Sequence, residues 1–243
     1  MENSIKRIAL WSGPRNISTA LMYSFAQRQD TKVFDEPLYG YYLKHSDAAA
    51  YHPGAEDIMQ SMETNGKKVV DMMLNYSEKP VLFFKNMAHH LLPELGRDFM
   101  KSMVNVILTR NPVEMLPSFA EVIENPTLED VGYKMHHEIV KELQSMDLPV
   151  IVVDSKSILL NPEKQLEKLC EAIGIPFDPA MLQWQTGAIP EDGIWAKYWY
   201  GNIHQSSSFI PYKPKETLFP EKLKPLLAEC QPYYEELTQM SDF

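Results

Sequence analysis

Apolar positions along this chain follow two periods. Short β-branched or aromatic runs at residues 5–11, 32–34, 81–84, 104–108 and 150–153 read as buried strands. Between them, residues 18–29, 56–75, 112–124, 128–145 and 162–173 carry apolar side chains three and four apart, which predicts helices, and residues 221–239 close the chain with another. Asn161-Pro162-Glu163 has the form of a helix start, with a capping residue, a proline and an acid, and Gly174 is a stop. Strands alternating with helices predict a parallel sheet of four or five strands covered on both faces, a three-layer α/β/α arrangement. From Trp184 to Tyr212 the chain is rich in Trp, Tyr, Gly and Ser with weak periodicity. It reads as a long irregular surface segment, of the kind that often carries function. The apolar stretch at residues 223–227 can pack within the chain or across a homodimer, so monomer and homodimer stay open.

Composition narrows the picture. With 243 residues and 44% apolar side chains, one domain spanning residues 1–243 can bury its own core, and no Gly/Ser or Pro-rich linker divides it. A net charge of −10 argues against a nucleic-acid partner, because a phosphate backbone needs a concentrated basic face. Any phosphate recognition must therefore be local. The N-terminus enters a strand without a basic flank and apolar region, and no run is long enough to span a bilayer, so the expectation is a cytoplasmic protein with no membrane partner. Cys170 and Cys230 lie far apart in helical patterns and are expected to be free thiols.

Candidate chemistry begins at LWSGPRNISTALMYSF, residues 10–25. A strand ends at Ser12-Gly13-Pro14-Arg15, and Ser18-Thr19 begin a helix whose first N–H groups suit an anion. A Walker A loop aligned from Gly13 would need Gly at Ser18, Lys at Thr19 and a hydroxyl at Ala20. Their absence disfavours ATP or GTP hydrolysis. A second piece, VNVILTRNPVEMLPSFAEV, puts Arg110 at a strand end and Ser118 eight residues on, inside a helix. Arg110 can pair a phosphate as a planar fork.

Together these pieces resemble the sulfotransferases that use 3′-phosphoadenosine 5′-phosphosulfate (PAPS), whose fold is P-loop NTPase-like. Pro14-Arg15-Asn16-Ile17-Ser18-Thr19 matches the family's 5′-phosphosulfate loop except at Asn16 and Ile17, and Arg110-Asn111-Pro112 with Ser118 matches its 3′-phosphate motif. VVDSKSILLNPEKQLEKLCEAIGIPFDPAML is similar to a segment of the bacterial members, and the Trp-Ser-Gly-Pro-Arg-Asn loop resembles their compact branch. HQSSSFIPYK is similar to the stretch that closes over the nucleotide, which implies contacts from Ser207, Phe209 and Lys213. The resemblance implies PAPS as donor and 3′-phosphoadenosine 5′-phosphate (PAP) as product; separately, no Cys/His or paired-carboxylate spacing typical of a metal site occurs, so no metal is expected. A donor without a γ-phosphate has no need of the Walker lysine.

Sulfonyl transfer needs a base and positive charge near the developing oxyanion. Lys85 at a strand end is expected to stabilise the transferring group. The base stays open among His89, His90, Glu36 and Asp35, with a helix-capping role as the alternative for each. His136 and His137 read as ordinary, partly exposed helix residues. Asp35, Glu36, Tyr39 and Tyr42, with Trp195 and Trp199 in the late segment, suit a small polar or cationic acceptor, each cation–π contact worth roughly 0.5–2 kcal/mol. The same rings could instead pack a core. Two other functions stay open: a nucleotide-binding protein without catalysis, and a small-molecule kinase.

Overall fold

The computed structural model describes residues 5–214 and 218–241. Strands β1 (Lys6–Ser12), β2 (Thr31–Asp35), β3 (Val81–Met87), β4 (Val104–Thr109) and β5 (Ile151–Asp154) form one sheet in the order β2-β3-β1-β4-β5, every pair parallel. In chain order the helices are α1 (Ser18–Ala26), α2 (Tyr39–His45), α3 (Ala55–Ser61), α4 (Gly66–Asn75), α5 (Pro112–Phe119), α6 (Leu128–Val131) and α7 (Tyr133–Ser145). They continue with α8 (Ser155–Leu160), α9 (Pro162–Ile173), α10 (Ala196–Trp199) and α11 (Lys224–Gln239). No helix among the described residues is long and apolar enough to cross a membrane.

The period of two along the strands sorts the core into two layers. Ile8, Leu10, Phe83 and Leu108 pack beneath Leu21 and Phe25 of α1 and Leu166 and Leu169 of α9. Ala9, Trp11, Phe84 and Ile107 point the other way, against Val69 and Met73 of α4, Ile139 and Leu143 of α7, and Leu237 of α11. The expected α/β/α layering with a parallel sheet is what forms, with five strands. Because β1 lies between β3 and β4, the chain leaves its carboxyl end at the place where strand order reverses, and such folds bind ligands there.

Several helices are shorter than periodicity predicts. The span 56–75 is two helices, because Asn65 caps the second by accepting from the Lys68 N–H at 3.2 Å. The span 112–124 stops as an α-helix at Phe119, with Pro117 inside it. The span 128–145 breaks at Gly132, whose φ of +78° is left-handed. Helices α2 and α8, of seven and six residues, are too short to leave a periodic signal in the sequence. Leu223 and Leu226 are buried against Leu116, Phe119 and Cys230 within the chain. Cys170 and Cys230 are free and buried.

Gly132 and Gly13 lock the first loop to the α6–α7 corner. A Cβ on Gly13 would come within 2.9 Å of the Val131 carbonyl oxygen, so only glycine fits. Gly132→Ala is expected to lower unfolding stability by about 1–2 kcal/mol, since a Cβ opposes the left-handed backbone. Thermal unfolding reads this directly, and an unchanged midpoint would contradict it.

Candidate active site

Two loops at the carboxyl edge of the sheet build one end of a cavity of about 440 Å³. The first runs from β1 into α1. Arg15 stands at φ +50°, a strained choice for a residue with a Cβ. Asn16 holds the loop by donating to the Leu108 carbonyl at 3.0 Å while accepting from the Ile17 N–H at 2.9 Å. Helix α1 has no side-chain cap and no acid in its first turn, and Pro14, Arg15, Asn16, Ile17, Ser18 and Thr19 line the cavity. Its first-turn N–H groups and positive dipole end are therefore open to an anion. Gly13 lies behind the loop, against Val131 and Gly132.

The second loop runs from β4 into α5. Arg110 donates to the Arg15 carbonyl at 3.0 Å and meets Glu114 at 3.4 Å, and its Nε is buried without a hydrogen-bond partner. Asn111 caps α5. Ser118, the penultimate residue of α5, accepts from Arg15 Nε at 3.1 Å. The two motifs, 95 residues apart, thus form one basic corner with an unspent N–H donor.

The opposite end of the cavity is an ionic cluster. Parallel pairing of β2 with β3 puts Asp35 directly across from Lys85. Lys85 Nζ donates to Asp35 at 2.8 Å, to Glu36 at 2.6 Å and to the Tyr200 hydroxyl at 2.5 Å. An ammonium has three N–H donors, so Lys85 is saturated. Burial opposes its charge, but Asp35 and Glu36 outweigh that and its pKa rises. Asp35 also accepts from Tyr200 at 2.8 Å and from the Gly193 N–H at 3.1 Å, and its side chain is 1% exposed. Glu36 is held more loosely: beyond Lys85 its contact is Tyr200 at 3.5 Å, and its side chain is 10% exposed toward the cavity. Glu36 also sits at φ +45°, which turns it out of the strand direction. Burial raises its pKa, and Asp35 adds to the rise while Lys85 opposes it.

His89 and His90 line the cavity and are buried, each with an unpartnered Nδ1. His90 is stacked between Tyr39 and Tyr42, with ring centroids 4.7 and 4.6 Å away. Burial pushes His89 down to about 3 and His90 well below its ordinary value. Of the other expected acceptor residues, Glu36, Tyr39 and Trp199 line the cavity. Tyr42 stands behind His90, Asp35 beneath Lys85, and Trp195 behind Tyr200, donating to its hydroxyl at 3.3 Å.

In the late segment Phe209 and Lys213 line the cavity, as do Ser206 and Ser208, whereas Ser207 uses its carbonyl to accept from the Trp184 N–H at 2.9 Å. Period-two alternation in an extended stretch explains why the two neighbours face inward. His136 is buried at 1% exposure, contrary to the sequence expectation, because it packs behind Gly13.

Sequence reasoning missed His52, which lines the cavity and pairs its Nδ1 with the Tyr39 hydroxyl at 2.8 Å, and the part played by Tyr200. Tyr200 reaches Lys85 across 115 residues, a contact no spacing could signal.

Residues 6–240 match the family model described as a sulfotransferase domain. The chain is 39% identical over 225 residues to Branched-chain-amino-acid aminotransferase-like protein 1 of Arabidopsis thaliana, and 38% identical over 228 residues to protein 2. These alignments cover 92% and 93% of this chain but 40% of each relative, so the chain spans about two-fifths of the curated relatives it matches. Its fold is similar to the sulfotransferase domain from the Synechococcus PCC 7002 olefin synthase, with TM-score 0.56, 15% identity, and coverage of 96% of this chain and 97% of that one. A sulfotransferase from Alicyclobacillus acidocaldarius gives TM-score 0.55 at 11% identity, covering 98% and 97%.

Proposed function

The chain belongs to the sulfotransferase domain family, and from that premise we propose that it transfers a sulfonate from PAPS to a hydroxyl or amine of a small polar molecule by in-line displacement. The observation that carries this reading is that both phosphate-type loops and a cavity-facing carboxylate, Glu36, line one cavity. The donor end fits such a nucleotide: an uncapped helix start and the buried, unpartnered Arg110 Nε each seek an anion.

In this mechanism the first turn of α1, with Arg15, Ser18 and Thr19, holds the 5′-phosphosulfate, and Arg110 with Ser118 holds the 3′-phosphate. PAPS supplies an activated sulfonate, whose bond to the phosphate oxygen breaks as the acceptor's bond to sulfur forms. Glu36 takes the acceptor's proton. Among the candidate bases it combines exposure to the cavity with a pKa that burial raises above its ordinary value. His89, held at about 3, is a much weaker proton acceptor, and Asp35 is fully engaged. Lys85, with all three N–H groups committed, acts as a positioning residue for Glu36, and the helix end and Arg15 carry the charge of the transferring group.

The test is titration calorimetry of PAP into Arg110→Ala. Loss of charge-assisted hydrogen bonds worth about 1.5–3 kcal/mol predicts affinity roughly 10- to 100-fold weaker. Unchanged affinity would overturn the assignment of the 3′-phosphate site.

A further inference from the structure

The acceptor end of the cavity has an unbalanced charge. Its ionised groups are Asp35 and Glu36 against the single ammonium of Lys85. When Glu36 is ready to accept a proton, the cluster carries a net charge of −1, with no N–H of Lys85 left for a ligand. Arg15 also lines the cavity, but its guanidinium is engaged with Ser118 and the Trp199 carbonyl at the donor side. The imidazoles add no charge: burial holds His52 at about 4 and His89 at about 3. At this cluster an anionic acceptor would add to the excess negative charge, while a cation would cancel it.

The walls suit such a cation. Tyr39, His52, Trp199 and Tyr200 line the cavity, Phe119 stacks on Trp199 at 6.4 Å, and the Tyr200 ring already carries the Lys85 ammonium at 4.8 Å. Aromatic faces attract a partly desolvated cation by their quadrupoles.

We propose that the acceptor is a small alcohol carrying a positively charged nitrogen, its cation seated against the aromatic faces beside Glu36. The inference rests on the sulfotransferase reading and deepens it. A nitrogen held as a cation has no lone pair to attack sulfur, so the nucleophile is the hydroxyl. Its oxygen forms the new bond to sulfur, its proton goes to Glu36, and the electron pair of the broken bond leaves on the phosphate oxygen.

The test compares choline with its uncharged carbon isostere, 3,3-dimethyl-1-butanol, by ligand-observed NMR on the wild-type protein, with and without saturating PAP. Choline is expected to bind at least about tenfold more tightly. The preference should collapse in Trp199→Leu and in Glu36→Gln. Equal or tighter binding of the isostere would overturn the inference, as would failure of both to bind while PAP binds, and either result leaves the sulfotransferase reading standing. If PAP itself does not bind, that reading fails, and the choline preference measured without nucleotide still decides whether a cation site exists.

Discussion

Glu36→Gln is expected to lower kcat by about 10²- to 10⁴-fold, the usual contribution of a positioned general base, while leaving affinity for PAP unchanged. The assay is sulfonate transfer from labelled PAPS to any alcohol that the wild-type protein accepts. Glutamine keeps the shape of the side chain and a hydrogen-bond acceptor for Lys85, but it cannot take a proton. The pH profile separates this loss from a structural one. Because burial, helped by Asp35, raises the Glu36 pKa, the acid limb of wild-type kcat should lie above the ordinary glutamate value of 4.5. That limb should vanish in Glu36→Gln. A variant retaining both the rate and the limb would return the role to His89 or His90.

Lys85→Met should be the most destabilising change in the site. It leaves Asp35 and Glu36 buried side by side with their cation gone, and removing one partner of a buried pair costs about 3–5 kcal/mol. For a chain of this length that is a fall of roughly 6–20 °C in Tm at pH 7. The pH dependence has a definite sign. The orphaned carboxylates bind protons more tightly folded than unfolded, so the variant should lose stability as pH rises above the ordinary carboxylate range and regain it in acid. The wild-type Lys85 behaves oppositely to a depressed acid: its raised pKa contributes stability that is complete below its ordinary value of 10.5 and is lost as pH climbs past it. Adding Asp35→Asn and Glu36→Gln to Lys85→Met should restore part of the loss. An unchanged Tm in Lys85→Met would contradict the account of the cluster.

The sheet was legible because its strands are short apolar runs buried on both faces, and a period or run length suffices to find them. The first loop and the Arg110 motif were legible as well, since each is contiguous in sequence. Helix ends were harder. Gly132 and Asn65 break apolar patterns that continue on either side, and only their backbone geometry and capping show the break. The state of Lys85 depends on strand order: once β2 lies beside β3, Asp35 must face Lys85, but nothing local in the sequence fixes that neighbour. Tyr200 and His52 enter the site from irregular segments, where no periodicity announces which side chain turns inward. Pattern therefore gave the frame, while the committed valences of Lys85, which turn it from a free cation into a clamp, needed contacts between distant residues.

The most direct test of the central claim is a magnesium-free calorimetric titration of the wild-type protein with PAP, set against adenosine 5′-monophosphate and against ATP with magnesium. Binding of the bisphosphate without metal, at least about tenfold tighter than the monophosphate that lacks the group assigned to Arg110, is the predicted result. Preference for ATP with magnesium, or no binding of the bisphosphate, would contradict it.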